Sequence, residues 1–288
     1  MTELRYAYNT NGCAHHRLYD ALELMARAGY DGVALTLDWH HLDPFAPNWE
    51  AQTRRLARWL RDAGMGCVIE TGARYLLDST VKHKPTLLDA TAAGRQLRTD
   101  FLRRALTIGA MLEAETVSCW AGVREAVVDE TTATDYLLDG LRRVLEHART
   151  VGCPLSLEPE PGMHVETNAD YDDVRRRLGA AGEDLRLALD LGHVWVTGEG
   201  EPAAAIHQYA DRLGTVSIEG MNRGVHLHLP LDEGDMAIPP LLDALRAVAF
   251  PGLVCVELSR ESPRAHASIP GSLSHLRHLR SVAQLTHS

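Results

Sequence analysis

The chain has 288 residues, of which 45% are hydrophobic, and its formal net charge at pH 7 is −10. Such a composition can bury a substantial core, whereas the negative charge argues against a general nucleic-acid surface and against binding to anionic membranes. No apolar run is long enough to span a bilayer. The residues around Glu3 and Arg5 lack the apolar core of a signal peptide, so a cytoplasmic location is expected.

Short apolar runs alternate along the chain with longer segments of helical periodicity. The predicted strands are residues 4–9, 32–38, 66–70, 116–120, the run that ends at Glu158, and residues 185–190, 214–218 and 253–257. The predicted helices lie near residues 16–29, 49–64, 90–111, 132–151, after Asn168 as the N-cap, and near 203–212, 239–249 and 266–283. Eight strand–helix rounds favour a single-domain α/β protein, a (β/α)8 TIM barrel over residues 1–288, rather than a doubly wound sheet.

The five cysteines are scattered without a C-x-x-C pair, and four of them fall in or at the start of predicted strands. This placement predicts reduced core residues rather than disulfides or metal ligands. The residues concerned are Cys13, Cys67, Cys119, Cys153 and Cys255.

Among the predicted strands that end in an acidic residue, three form a recurring pattern in the second half of the chain, namely those that end at Glu158, Asp190 and Glu257. A TIM barrel carries its reactive groups on the loops after the strands, so these carboxylates are expected to converge. Other polar residues at predicted strand ends are Asn9, Asn11, Asp38, His40, His41, Glu70, Trp120, Glu160, His193, Glu219, His226, His228 and Arg260. Carboxylates with some imidazole suit Mn²⁺, Mg²⁺, Co²⁺ or Fe²⁺, and more histidines shift the preference toward Zn²⁺.

Each acid taken alone could instead cap a helix or pair with an arginine. Together the three favour a site, because like charges crowded at one mouth are costly without a cation. For Glu70, His40 and His41, support of the site and ordinary loop polarity are both open. The motifs G-x-x-x-x-G-K, H-E-x-x-H and G-x-S-x-G are absent, which excludes a P-loop, a zincin and a hydrolase elbow.

Four motifs carry a resemblance to a known family. They are L-E-P-E-P at 157–161, D-L-G-H at 190–193, G-V-H-L-H-L-P-L-D-E-G-D at 224–235, and V-E-L-S-R at 256–260. With them the chain resembles the xylose isomerase-like TIM-barrel superfamily of sugar isomerases, sugar epimerases and endonuclease-IV-type enzymes over nearly its whole length. Residues 34–44, 69–78 and 82–88 are similar to the barrel protein of Ebo-type metabolite clusters, a group that implies little about the substrate.

The resemblance implies metal carboxylates at Glu158, Asp190 and Glu257, and a substrate-side histidine at His193. The chain departs from the family in the seventh strand, where the pattern V-H-I-x-D is replaced by V-S-I-E-G at 216–220. Ser217 therefore stands where a metal-binding histidine is expected, and serine is a poor ligand at neutral pH.

Three outcomes remain open for the missing ligand. His226 or His228 could supply the nitrogen, since alternation in an extended segment would point both imidazoles to one side with Leu227 opposite. Glu219 could replace the nitrogen with an oxygen, or tight metal binding could be lost.

The leading hypothesis is a metal-assisted isomerase or epimerase that acts on a sugar, cyclitol or related polyhydroxy metabolite through an enediolate. Glu158 and Glu257 are the candidate acid/base pair. His193 and Glu70 would contact the substrate, and Arg223 or Arg260 would bind a phosphate or carboxylate.

Two alternatives belong to other classes. An endonuclease-IV-type phosphodiesterase needs more histidines for a multi-metal cluster, and an acidic chain binds DNA poorly. A repurposed barrel that binds a metabolite without the ancestral reaction is favoured by Ser217 and Gly220. Barrels of this kind often form homo-oligomers, but no segment of the sequence indicates a pairing surface.

Overall fold

The computed structural model describes residues 3–285, with side chains through residue 279, so residues 1–2 and 286–288 of the predicted domain lie outside the described residues. The strands are β1 (Arg5–Asn9), β2 (Gly32–Thr36), β3 (Gly66–Glu70), β4 (Val117–Trp120), β5 (Leu155–Glu158), β6 (Leu185–Asp190), β7 (Leu213–Ile218), β8 (Gly220–Asn222), β9 (Val225–Leu229) and β10 (Leu253–Val256). All except β8 and β9 form a closed parallel barrel in the order β1-β10-β7-β6-β5-β4-β3-β2, which confirms the predicted fold class.

Helices follow the barrel strands. They are α1 (Leu18–Ala28), α2 (Trp49–Ala63), α3 (Ala92–Leu112), α4 (Glu130–Val151), α5 (Asn168–Leu178), α6 (Leu191–Thr197), α7 (Pro202–Gln208), α8 (Ile238–Ala247) and α9 (Ala265–Leu285). Two elements were not predicted: helix α6, and the antiparallel hairpin that β8 and β9 form after β7.

The N-cap of α5 is Thr167, so the prediction of Asn168 is wrong. Thr167 Oγ1 accepts a hydrogen bond from the backbone N–H of Asp170, and the Asp170 carboxylate accepts one from the N–H of Thr167. This reciprocal capping box satisfies two helix-terminal donors. It places Asn168 at the first helical position.

Alternation along the barrel strands separates two apolar layers. In β5, Leu155 and Leu157 belong to the large core that includes residues of the surrounding helices. Ser156 and Glu158 therefore face the inside of the barrel, because adjacent strand residues point to opposite faces. The interior is packed with a separate set of mostly small residues: Ala7, Ala34, Val68, Leu253 and Cys255.

Close packing at the start of the strands depends on Gly32 and Gly66. A Cβ atom on Gly32 would lie 2.6 Å from Cδ1 of Leu253 and 2.9 Å from the carbonyl oxygen of Gly66. Only glycine fits there without displacement of a neighbour.

All five cysteines are buried and free, as predicted. Within the described part of the chain, no helix combines the length and hydrophobicity needed to cross a membrane.

Candidate active site and metal centre

A cavity of about 380 Å³ lies at the C-terminal ends of the barrel strands. Most of the predicted site residues line it: Glu70, Glu158, His193, His226, His228, Glu257 and Arg260. Arg223 lies elsewhere, with its guanidinium carbon 4.0 Å from the centroid of the Trp195 ring and an Nη atom 3.4 Å from Glu201. The structure therefore brings Arg260 to the cavity but not Arg223.

His193 connects the ends of β5 and β6. Its backbone N–H donates to Oδ1 of Asp190, which caps α6, at 2.8 Å. The ring Nδ1 lies 3.1 Å from the carbonyl oxygen of Pro159, so this nitrogen carries a proton and donates. In the neutral ring, Nε2 is then the acceptor, 3.6 Å from Oδ2 of Asp190 and 3.1 Å from Nε2 of His226.

The hairpin brings two further imidazoles to His193. The ring centroids of His226 and His228 lie 4.7 Å and 5.7 Å from that of His193. Nδ1 of His228 lies 3.2 Å from the carbonyl oxygen of Glu257. The two histidines thus share a side as predicted, although Leu227 also borders the cavity.

Candidate metal ligands form three overlapping groups among the described residues, each with its donor atoms within 4.8 Å of one another. These groups are Glu158, Asp190 and His193; Asp190, Glu219 and His228; and His193, His226 and His228. Glu257 belongs to none of them, but it lines the same cavity and its Oε1 accepts from Nδ2 of Asn11 at 2.7 Å.

Two carboxylates have buried oxygens that lack a hydrogen-bond partner within the described side chains. They are Oδ2 of Asp190 and both Oε atoms of Glu219, which is 0% exposed. A buried carboxylate without a partner is costly, so these atoms need a proton or a cation. The oxygen and imidazole donors of Asp190, Glu219 and His228 fit a divalent transition metal ion.

Burial and crowding determine the protonation of the acids. Burial raises the pKa of Glu70, Glu158 and Glu219 well above the ordinary value, and neighbouring carboxylates raise it further. Burial also raises the pKa of Asp190, but nearby His193 and His228 lower it below the ordinary value. A cation bound here would therefore displace protons.

Sequence reasoning missed the side chains that line the cavity from the connection between β3 and α3, residues 71–91. These are Thr71, Arg74, Lys82 and His83. The connection has no regular periodicity that could have placed them. Asp38, which the sequence did indicate, accepts a hydrogen bond from Nε of Arg74 at 3.1 Å. His40 and His41 pack against each other beside it, with ring centroids 4.1 Å apart, and do not line the cavity.

A family model described as xylose isomerase-like TIM barrel matches residues 22–281. The chain belongs to this family. Comparison with curated proteins gives no significant match. Among solved structures, this xylose isomerase-like barrel is similar to a D-tagatose 3-epimerase-like protein at 16% identity and a TM-score of 0.78, covering 99% of this chain and 100% of the other.

Two further structures show the same fold. The IOLI protein with a binding zinc atom is 15% identical with a TM-score of 0.76, covering 96% of this chain and 98% of the other. The probable 3-DHS dehydratase AsbF of Bacillus anthracis is 14% identical with a TM-score of 0.74, covering 95% and 99%. At these identities the likeness establishes the fold of a xylose isomerase-like barrel.

Proposed function

We propose that this xylose isomerase-like barrel is a metal-assisted isomerase or epimerase of a sugar, cyclitol or related polyhydroxy carbonyl compound. The observation that carries the proposal is the clustering of donor atoms from Glu158, Asp190 and His193 within 4.8 Å beside a cavity that Glu257 also lines. The likeness to a D-tagatose 3-epimerase-like structure supports this reaction class.

Asp190 would be the central metal ligand, because it belongs to both groups that contain carboxylates. Glu158, Glu219 and His228 would complete the set. The predicted ligands His226 and Glu257 border the same cavity. A bound divalent cation would stabilise the negative charge that develops on substrate oxygens when a C–H proton leaves.

Glu158 and Glu257 would exchange protons with the substrate. Glu158 ends β5 and Glu257 follows β10. Because β6 and β7 lie between these two strands in the barrel, the two carboxyl groups approach the cavity from different sides. Glu257, positioned by Asn11, would accept the proton that leaves the carbon, and Glu158 would be its partner in the acid/base pair. Nε2 of His193 would accept a hydrogen bond from a substrate hydroxyl.

Hydrogen exchange with solvent tests this function. A panel of ketoses and inososes is incubated with the Mn²⁺-loaded protein in D₂O, and deuterium at the carbon beside the carbonyl is measured by NMR. Glu257→Gln should abolish exchange while substrate affinity changes only a few-fold, because glutamine fills the space but cannot accept the proton. The control is Glu113→Gln, whose carboxylate is exposed and 3.8 Å from Arg61.

Near-normal exchange in Glu257→Gln would remove Glu257 from the proposed role. A second candidate is a repurposed metabolite-binding barrel, which Ser217 favours because a family metal ligand is missing from β7. Compounds that bind without any deuterium incorporation would support that candidate instead.

A further inference from the structure

Charge is distributed unevenly around the cavity. The carboxyl groups of Glu70, Glu158 and Glu257 lie at the ends of the barrel strands, whereas Arg74 and Lys82 line the cavity from the connection after β3. Arg260, in the loop after β10, lines it as well. The cavity therefore has an acidic floor and a basic rim, and the basic rim is defined as Arg74, Lys82 and Arg260.

Arg74 is held in place by one edge of its guanidinium group. Nε donates to Oδ2 of Asp38, a carboxylate that is only 3% exposed, at 3.1 Å. Nη2 is buried and has no hydrogen-bond partner in the part of the chain that the structure describes. The Arg74 side chain is still 27% exposed and lines the cavity, so its positive charge can act on a group bound there.

The backbone around Arg74 is fixed independently of any ligand. Ala73 and His83 adopt left-handed conformations with φ values of 47° and 67°, which are uncommon for residues other than glycine. The N–H of His83 donates to the carbonyl oxygen of Arg74 at 2.6 Å, and Nδ1 of His83 lies 2.7 Å from the carbonyl oxygen of Gly72. These contacts close the segment on itself and hold the backbone that carries Arg74 and Lys82.

We infer that the substrate is anionic, with a phosphate or carboxylate group bound by the basic rim and its polyhydroxy carbonyl end at the acidic floor. This inference rests on the proposed function. Arg74, Lys82 and Arg260 all line the cavity, and their positive charges would attract the oxygens of either anion. The acidic floor offers an anionic group no basic side chain, whereas the basic rim offers three, so the charge distribution favours one orientation of the substrate.

The chain supplies a matched control for the basic rim. Lys82 lines the cavity, whereas Lys84, two residues later, is paired with Glu125 at 2.7 Å and is not among the lining residues. Lys82→Gln and Lys84→Gln remove the same charge from the same segment. Only the first should weaken binding of an anion.

Binding is measured by isothermal titration calorimetry on EDTA-treated protein, so that no divalent cation receives the anion. The probes are D-fructose 6-phosphate, D-gluconate and uncharged D-fructose. The phosphate ester or the carboxylate should bind at least about 10-fold more tightly than D-fructose, and Arg74→Gln should weaken that binding about 10- to 100-fold, as expected for loss of a charged hydrogen bond. Binding of D-fructose should stay unchanged in all variants.

Which of the two anions is preferred identifies the anionic group. Three results would overturn the inference. They are equal affinity for the anions and D-fructose, no binding of either anion at millimolar concentration, and an equal loss of anion affinity in Lys82→Gln and Lys84→Gln. If circular dichroism shows that Arg74→Gln is unfolded, the lysine pair and Arg260→Gln decide. This binding experiment needs no turnover, so its result is independent of the proposed reaction. An anion preference without deuterium exchange would refute only the proposed reaction. Deuterium exchange into neutral sugars without an anion preference would refute only the role of the basic rim.

Discussion

Ser217 leaves β7 without the imidazole that the family resemblance places there. Other potential metal ligands lie close to it. Ser217 pairs in register with Asp190 on β6, and Glu219 lies two residues further along the chain. Asp190 and Glu219 form a ligand group with His228. Oxygen from Glu219 and nitrogen from His228 are thus both available where a single histidine was expected.

Metal affinity tests whether these residues replace the missing ligand. Glu219→Gln and His228→Ala should each lower the affinity for Mn²⁺ or Zn²⁺ by at least about 10-fold, measured by calorimetry with competing chelators, because each removes a ligand. Ser217→His should restore affinity in the His228→Ala background. His207→Ala, an exposed histidine of α7, is the control.

Unchanged affinity in both His226→Ala and His228→Ala would mean that the hairpin histidines do not bind the metal. The repurposed-barrel candidate would then be favoured over the isomerase.

At the scale of elements, the barrel strands were predictable, whereas helix α6 and the hairpin of β8 and β9 were not. The predicted limits 66–70 and 185–190 are those of β3 and β6, and in both strands the terminal acid marks the C-terminal end. Helix α6 has only seven residues and contains Gly192, so its sequence resembles a loop. It also carries Trp195, on which Arg223 stacks, and this contact explains why the predicted role of Arg223 has no support in the structure.

The cap of α5 gives a test at this scale. Thr167→Ala should lower the free energy of unfolding by about 1 kcal/mol, since the hydroxyl that accepts from the Asp170 N–H is lost. Thr150→Ala is the control, because Thr150 Oγ1 only bonds to the carbonyl of Glu146 within α4. Urea unfolding that shows equal effects of the two substitutions would contradict the capping role.

At the scale of the whole molecule, the closed order of eight strands followed from the sequence, but the complete wall of the cavity did not. Repeated strand–helix units dictate a barrel and place Glu158, Asp190 and Glu257 at one end of it. The position of Arg74 depends on Asp38, a residue on a different loop, and on two left-handed residues in an aperiodic segment. No local pattern encodes such long-range contacts.

The packing at the start of the strands can be tested with two glycine-to-alanine substitutions, one at a crowded position and one at an open position. Gly32→Ala should destabilise the protein by about 1–3 kcal/mol, because the new methyl group would lie 2.9 Å from the carbonyl oxygen of Gly66. Gly271→Ala, in α9 with no atom within 4 Å of the new methyl group, should stabilise it by about 0.5–1 kcal/mol. Urea unfolding measures both, and a neutral Gly32→Ala would contradict the tight packing.

The hairpin of β8 and β9 contributes no strand to the barrel, yet it carries His226 and His228. A histidine on a barrel strand cannot be moved without disturbing the sheet, whereas a hairpin can be lengthened, shortened or exchanged while the eight strands stay intact. Residues 220–229 could therefore be transplanted into another barrel of the family, which would exchange its imidazole donors in one step.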